Sequence, residues 1–177
     1  AADVTVTNTD DDTAGFITSP NTGLLVFEGG ATDVITFVLT SEPTADVTFA
    51  VNNPSPDQIT FSLTSLTFTP NNWNVPQEIL LTAVNDFVAE PALGFTVAPQ
   101  PAISADPRYS GRKPQGANGT ILDNDTRGVS VSPISGHTNE DGATATFTVV
   151  LTSEPTAEVL IPLSSSDATE GTVSAAS

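Results

Sequence analysis

Acidic side chains are the main chemical resource of this chain. They gather most tightly in Ile121-Leu122-Asp123-Asn124-Asp125-Thr126-Arg127-Gly128, and a near copy, Thr9-Asp10-Asp11-Asp12-Thr13-Ala14-Gly15, lies close to the start. Asp10 and Asp123 are 113 positions apart, and so are Asp12 and Asp125. Two chemistries suit such a knot. Carboxylates held close together repel one another and attract a cation, and Ca²⁺ in particular takes roughly six to eight oxygens from carboxylates, carbonyls and water. Alternatively, short Asp and Asn side chains accept hydrogen bonds from the backbone N–H groups of a solvated turn. Other chemistry is poorly served. Without cysteine there is no thiolate nucleophile, thiolate metal site or disulfide. His137 is the only histidine, too few for a zinc site or for a serine–base pair in the first part of the chain. Asp86 and Glu90 could imitate a glycosidase pair, but nothing points to a substrate cleft. Gly29-Gly30 opens no helix and so does not read as a phosphate loop. The chain is therefore read as non-catalytic.

Charge narrows the partners. The 177 residues carry 21 acidic against 4 basic side chains, a net of −17. Such a chain repels nucleic acid phosphates and anionic lipid head groups, and its charge also suits solubility in salty surroundings. No apolar run approaches the roughly 18 residues of a membrane-spanning helix, and Ala1-Ala2-Asp3-Val4 opens no signal peptide. Both ends look cut from something longer, or processed. Three of the four basic residues, Arg108, Arg112 and Lys113, fall within Pro107–Pro114. That island reads as a solvated loop, or as a contact to an acidic patch on a neighbour.

The elements that must position the acids read as strands throughout. Val34–Thr40 places Ile35, Phe37 and Leu39 on one face, and Val47, Phe49 and Val51 alternate with polar or small residues. Leu24–Phe27, Ile59–Phe61, Leu66–Thr69, Phe95–Val97 and Ile121-Leu122 are further strands, and Ile79–Val84 is apolar enough to be a central one. Val4-Thr5-Val6-Thr7 reads as a half-buried strand as well. Fourteen prolines leave few windows able to sustain a helix, since an interior proline costs about 3 kcal/mol. Short strands at near ten-residue spacing predict an all-β antiparallel sandwich.

The chain then begins again. Leu39–Ala45 is identical to Leu151–Ala157, and Gly15-Phe-Ile-Thr-Ser-Pro20 matches Gly128-Val-Ser-Val-Ser-Pro133. Glu28 falls on Glu140, and Asp46 on Glu158. Three pieces follow: 1–12, the last strand of a preceding repeat; 13–126, a complete sandwich; and 127–177, the first part of a following repeat. That last part lacks counterparts of everything from Leu66 to Asp125, and open sheets need a covering layer. Residues 3–8 of a neighbouring copy are the expected completing strand, joined head to tail.

Several features in order resemble a Calx-beta module. They are Glu28-Gly29-Gly30 after a short strand, Leu66-Thr67-Phe68-Thr69 with Trp73-Asn-Val-Pro-Gln77, Val84-Asn85-Asp86, and the closing Asp123-Asn124-Asp125. The resemblance covers residues 13–126, with partial copies on either side. It implies an immunoglobulin-like antiparallel sandwich of about seven strands in tandem, and a Ca²⁺ site at one pole. Carried over position by position, the implied ligands are Glu28, Asp86, Glu90, Asp123, Asn124 and Asp125. Asn85 and Asn124 stand where a fuller site would have Asp, and Pro91-Ala92-Leu93 supplies no acid, so the charge count is reduced. The solvated turn remains the alternative. The expected role is a structural repeat of a secreted or cell-surface protein, an adhesin stalk or extracellular filament stiffened by Ca²⁺ at its junctions. The alternatives are a calcium-sensing regulatory module and an accessory domain of a secreted enzyme.

Overall fold

Apolar and polar residues alternating with a period of two send side chains to opposite faces of an extended strand, and the chain folds on that pattern. A computed structural model describes residues 3–9 and 11–174. Among the described residues there is no helix. The chain divides into two compact units, Ala1–Asn124 and Asp125–Ser177.

The first unit holds ten strands: β1 (Phe16–Ser19), β2 (Leu24–Phe27), β3 (Asp33–Leu39), β4 (Val47–Asn52), β5 (Ile59–Phe61), β6 (Ser65–Phe68), β7 (Gln77–Ala83), β8 (Leu93–Pro99), β9 (Ile103–Ser104) and β10 (Ala117–Leu122). One sheet has the order β1-β3-β7-β5, so the apolar run read as central does lie inside its sheet. The other runs β2-β10-β8-β4-β6, with β9 added on β4. The two form a sandwich. The count exceeds the expected seven because β1 and β2 divide one stretch of chain between the two sheets, and because β5 and β9 are pieces of three and two residues. One pairing departs from the expected antiparallel pattern: β10 runs parallel to β2, with Leu122 opposite Phe27.

Between the sheets lie Ile35, Phe37, Leu39, Val47, Phe49, Val51, Phe68, Ile79, Leu81, Val97 and Ile121, all buried. Phe49 meets Phe16 and Phe37 edge-on at 5.5 and 5.4 Å. At roughly 1.5–3 kcal/mol for each large apolar side chain, this burial is the main support of the fold. Gly119 explains how β10 fits there. A Cβ at this position would sit 2.3 Å from Phe95 Cζ and 2.7 Å from Leu24 Cβ, so only glycine lets the neighbouring strands close.

The basic loop is fastened to the turn after β3. Tyr109 is fully buried. Its hydroxyl donates to the Ser41 carbonyl at 2.6 Å and accepts the Ser41 amide at 3.2 Å. Asp106, also buried, accepts the Thr44 amide at 2.8 Å and pairs with Arg108 at 2.9 Å. Arg108 Nη2 reaches on to the Glu42 carbonyl at 3.2 Å. Arg108 thus finds a carboxylate partner two residues away in the same chain, while Arg112 and Lys113 are exposed, as a solvated loop would have them. The Arg108 guanidinium is also the chief reason that the Asp106 carboxyl is held well below the usual range.

Val4-Thr5-Val6-Thr7 forms no strand, and Val4 and Val6 stand 83% and 84% exposed. A strand needs a partner's N–H and C=O groups, and no described segment offers them. In the second unit, β11 (Val129–Val131) pairs antiparallel with β12 (Val149–Leu151). Its register, Val129 opposite Leu151, matches Phe16 opposite Leu39 in β1 and β3. The flanking bonds match too. Thr40 donates through N to the Gly15 carbonyl and through Oγ1 to the Thr13 carbonyl, at 3.1 and 2.6 Å. Thr152 does the same to Gly128 and Thr126, at 3.0 and 2.5 Å.

Candidate metal centre

The parallel pairing of β2 with β10 is what assembles the acidic pole. Parallel strands end on the same side, so Glu28, directly after β2, emerges beside Asp123, directly after β10. The Glu28 amide donates to the Leu122 carbonyl at 2.9 Å and fixes that adjacency. The antiparallel neighbours bring the third segment. The end of β7 lies opposite the start of β3, and the start of β8 lies opposite the end of β10, so the loop between β7 and β8 closes over the same pole.

Glu28, Asp123 and Asp125 each offer a carboxylate oxygen within 4.8 Å of the others. Glu28 is the most enclosed of the three, only 3% exposed, and its Oε2 has no hydrogen-bond partner. Burial first, then the charges of Asp86, Asp123 and Glu90, push its carboxyl above the ordinary glutamate range. The Asp86 amide, hydrogen-bonded to it, works in the opposite direction. A buried, unpartnered carboxylate oxygen facing further acids is an unfavourable arrangement by itself, and one that a hard cation relieves. On that ground the residues fit Ca²⁺.

The other sequence-derived candidates take distinct places. Asp86 and Glu90 lie near enough to act electrostatically on Glu28. Asp86 Oδ1 also accepts the Val88 amide at 2.7 Å, and Asp123 Oδ2 accepts the Glu90 amide in a short hydrogen bond. The turn-capping alternative therefore describes part of what these acids do: they hold the β7–β8 loop while facing Glu28. Asn124 directs its amide nitrogen toward the Glu28 carbonyl and Asn85 Oδ1. In the first knot, Asp11 and Asp12 are exposed, and Asp10 lies outside the described residues. His137 is exposed. Asn85, which stands where a fuller site would have Asp, meets Asn124 through its side chain, and nothing in the spacing of the two residues along the chain marks them as neighbours.

No family model and no curated protein matches the chain. Solved structures do. The apo-form Calx CBD1 domain aligns with a TM-score of 0.47 at 18% identity, over 62% of this chain and 96% of that one. The calcium-binding domain CBD12 of CALX1.1 aligns with a TM-score of 0.46 at 19% identity, over 63% of this chain and 45% of that one. The periplasmic chaperone SfaE aligns with a TM-score of 0.45 at 8% identity, over 62% of this chain and 58% of that one. The chain thus spans less than half the length of the CBD12 structure. The likeness to the Calx domains is one of fold.

Proposed function

We propose that this chain is a non-catalytic structural repeat of a secreted or cell-surface protein, and that its acidic pole binds Ca²⁺. The observation that carries the reading is the convergence of Glu28, Asp123 and Asp125 within 4.8 Å, with Glu28 buried and one of its oxygens unpartnered. Asp86 and Glu90 add charge around the same point. The knot falls where one repeat gives way to the next in sequence, so an ion held there restricts the backbone leading out of the sandwich. The role is mechanical: a stalk or filament whose units stiffen in calcium. No helix among the described residues is long and apolar enough to cross a membrane.

Calcium titration of the 177-residue chain tests this directly. Saturable binding with a dissociation constant of about 10⁻⁴–10⁻³ M is expected, the range of extracellular modules with reduced ligand charge. A rise in melting temperature should accompany it. Absence of both heat and thermal shift at several millimolar Ca²⁺ rules the reading out.

The same proposal extends to neighbouring copies. Val159, Ile161 and Leu163 are 49%, 36% and 47% exposed. Their counterparts 112 positions earlier, Val47, Phe49 and Val51, lie in the core of the first unit. Residues 3–8 of a second copy, with Val4 and Val6 exposed, supply a strand of the kind the second unit lacks. Sedimentation velocity across a wide concentration range should show reversible head-to-tail association, lost in Val4→Asp/Val6→Asp. A chain that stays monomeric throughout excludes strand completion.

A further inference from the structure

The acidic pole contains two amides whose geometry is that of a clamp. Asn124 Nδ2 donates to Asn85 Oδ1 at 2.8 Å and to the Glu28 carbonyl at 3.1 Å. One nitrogen thereby joins three separate segments: the turn after β2, the loop after β7 and the exit from β10. Gly29 lies against this junction with φ at 60°. A Cβ on Gly29 would meet Asn85 Oδ1 at 2.7 Å and Asn124 Nδ2 at 2.8 Å, so the clamp fills the space a side chain would need. Asn85 Nδ2 in turn donates to the Asp86 carbonyl at 3.3 Å. Neither amide carries charge. They hold the loops together without adding to the mutual repulsion of Glu28, Asp86, Asp123 and Glu90.

We propose that Asn85 and Asn124 form a neutral positioning clamp that stands in place of a second cation. It preforms the carboxylate group before an ion arrives, and it limits the pole to one ion. The statement about ions rests on the calcium reading above; the clamping of the three loops does not. The chemistry turns on a single donor. An aspartate at 124 would set oxygen against two oxygens, Asn85 Oδ1 and the Glu28 carbonyl, and a bridging cation would be needed to restore the contact.

The test compares the intact chain with Asn124→Ala, Asn124→Asp and Asn85→Ala. Melting is followed through Trp73 in chelator and in Ca²⁺, with calcium titrations alongside. Asn124→Ala and Asn85→Ala should each melt roughly 5 °C lower in chelator. They should bind Ca²⁺ about tenfold more weakly, because the ion must then order loops that the clamp had ordered. Asn124→Asp should lose at least as much in chelator, regain it in Ca²⁺, and take up a second ion, against one for the unaltered chain. A merely structural asparagine would instead give equal losses with and without Ca²⁺ in every variant. Unchanged melting of Asn124→Ala in chelator overturns the clamp. So does an Asn124→Asp chain that Ca²⁺ fails to rescue, or an unaltered chain that binds two ions. If the unaltered chain ignores Ca²⁺ altogether, the calcium reading falls, and the chelator measurements still decide whether the clamp exists.

Discussion

Tyr109→Ala is expected to destabilise the first unit by about 3–5 kcal/mol, seen as a lowered urea midpoint in the fluorescence of Trp73. Trp73 is the only tryptophan and packs against the first unit's core, so it reports that unit. The size of the effect follows from two losses at one place. The Tyr109 ring is fully buried and meets Phe16 edge-on at 5.8 Å, so its removal leaves a cavity. Its hydroxyl also satisfies the buried Ser41, bonding the carbonyl at 2.6 Å, the amide at 3.2 Å and Oγ at 3.0 Å. Tyr109→Phe keeps the ring and removes only those bonds, so about 1–3 kcal/mol should be lost. Asp106 holds the other end of the latch. Arg108 is 43% exposed, so solvent screens the ion pair and its share is small. The depressed Asp106 pKa gives that end a definite pH sense. Its contribution is present above the unfolded aspartate value, about 3.9, and is lost as pH falls through the folded value. A Tyr109→Ala chain with an unaltered midpoint would show that the loop does not latch the sandwich.

Glu28→Gln should have opposite effects on stability and on calcium binding. At neutral pH and in chelator the variant should melt higher than the unaltered chain; in titrations it should bind Ca²⁺ roughly tenfold or more weakly, because a charged ligand is gone. The sign comes from the raised Glu28 pKa. A carboxyl whose folded pKa exceeds its unfolded value contributes stability that is fully present below the unfolded value, about 4.3, and is lost as pH rises through the folded value. The ionised Glu28, enclosed among Asp86, Asp123 and Glu90, is therefore unfavourable at neutral pH unless a cation is bound. Glutamine keeps the shape and removes the charge. The gap between the two chains in chelator should accordingly close as pH is lowered toward 4, where Glu28 takes up a proton. Equal melting at neutral pH in chelator, together with an unchanged calcium response, would show that Glu28 is neither strained nor a ligand. Binding sites commonly carry such a stability cost.

Much of the architecture was legible in the residues themselves. Alternation over Val34–Thr40 and Val47–Val51 marked strands β3 and β4 to within a residue or so, because a period of two has only one way to bury a face. The identity of Leu39–Ala45 with Leu151–Ala157 is likewise visible in the residues alone, and the structure gives β1–β3 and β11–β12 the same pairing, Phe16 opposite Leu39 and Val129 opposite Leu151. The reason for that heptapeptide was not legible. In the first unit its Ser41, Glu42 and Thr44 are the groups that Tyr109, Arg108 and Asp106 grip, and a bond between residues 68 apart leaves no periodic trace.

The acidic pole divides in the same way. The sequence by itself determined that the chain is a β-sandwich rich in carboxylates, since composition and alternation act locally and survive without knowledge of the fold. The resemblance implied that Glu28 and Asp123 share a pole, but only the tertiary structure decided how they emerge side by side, because that depends on β2 and β10 running parallel within a sandwich expected to be antiparallel. The amides of Asn85 and Asn124 meet for the same reason. Proximity between loops is set by which strands pair and in which direction, and that choice belongs to the packing of the whole sandwich and not to any one of its segments.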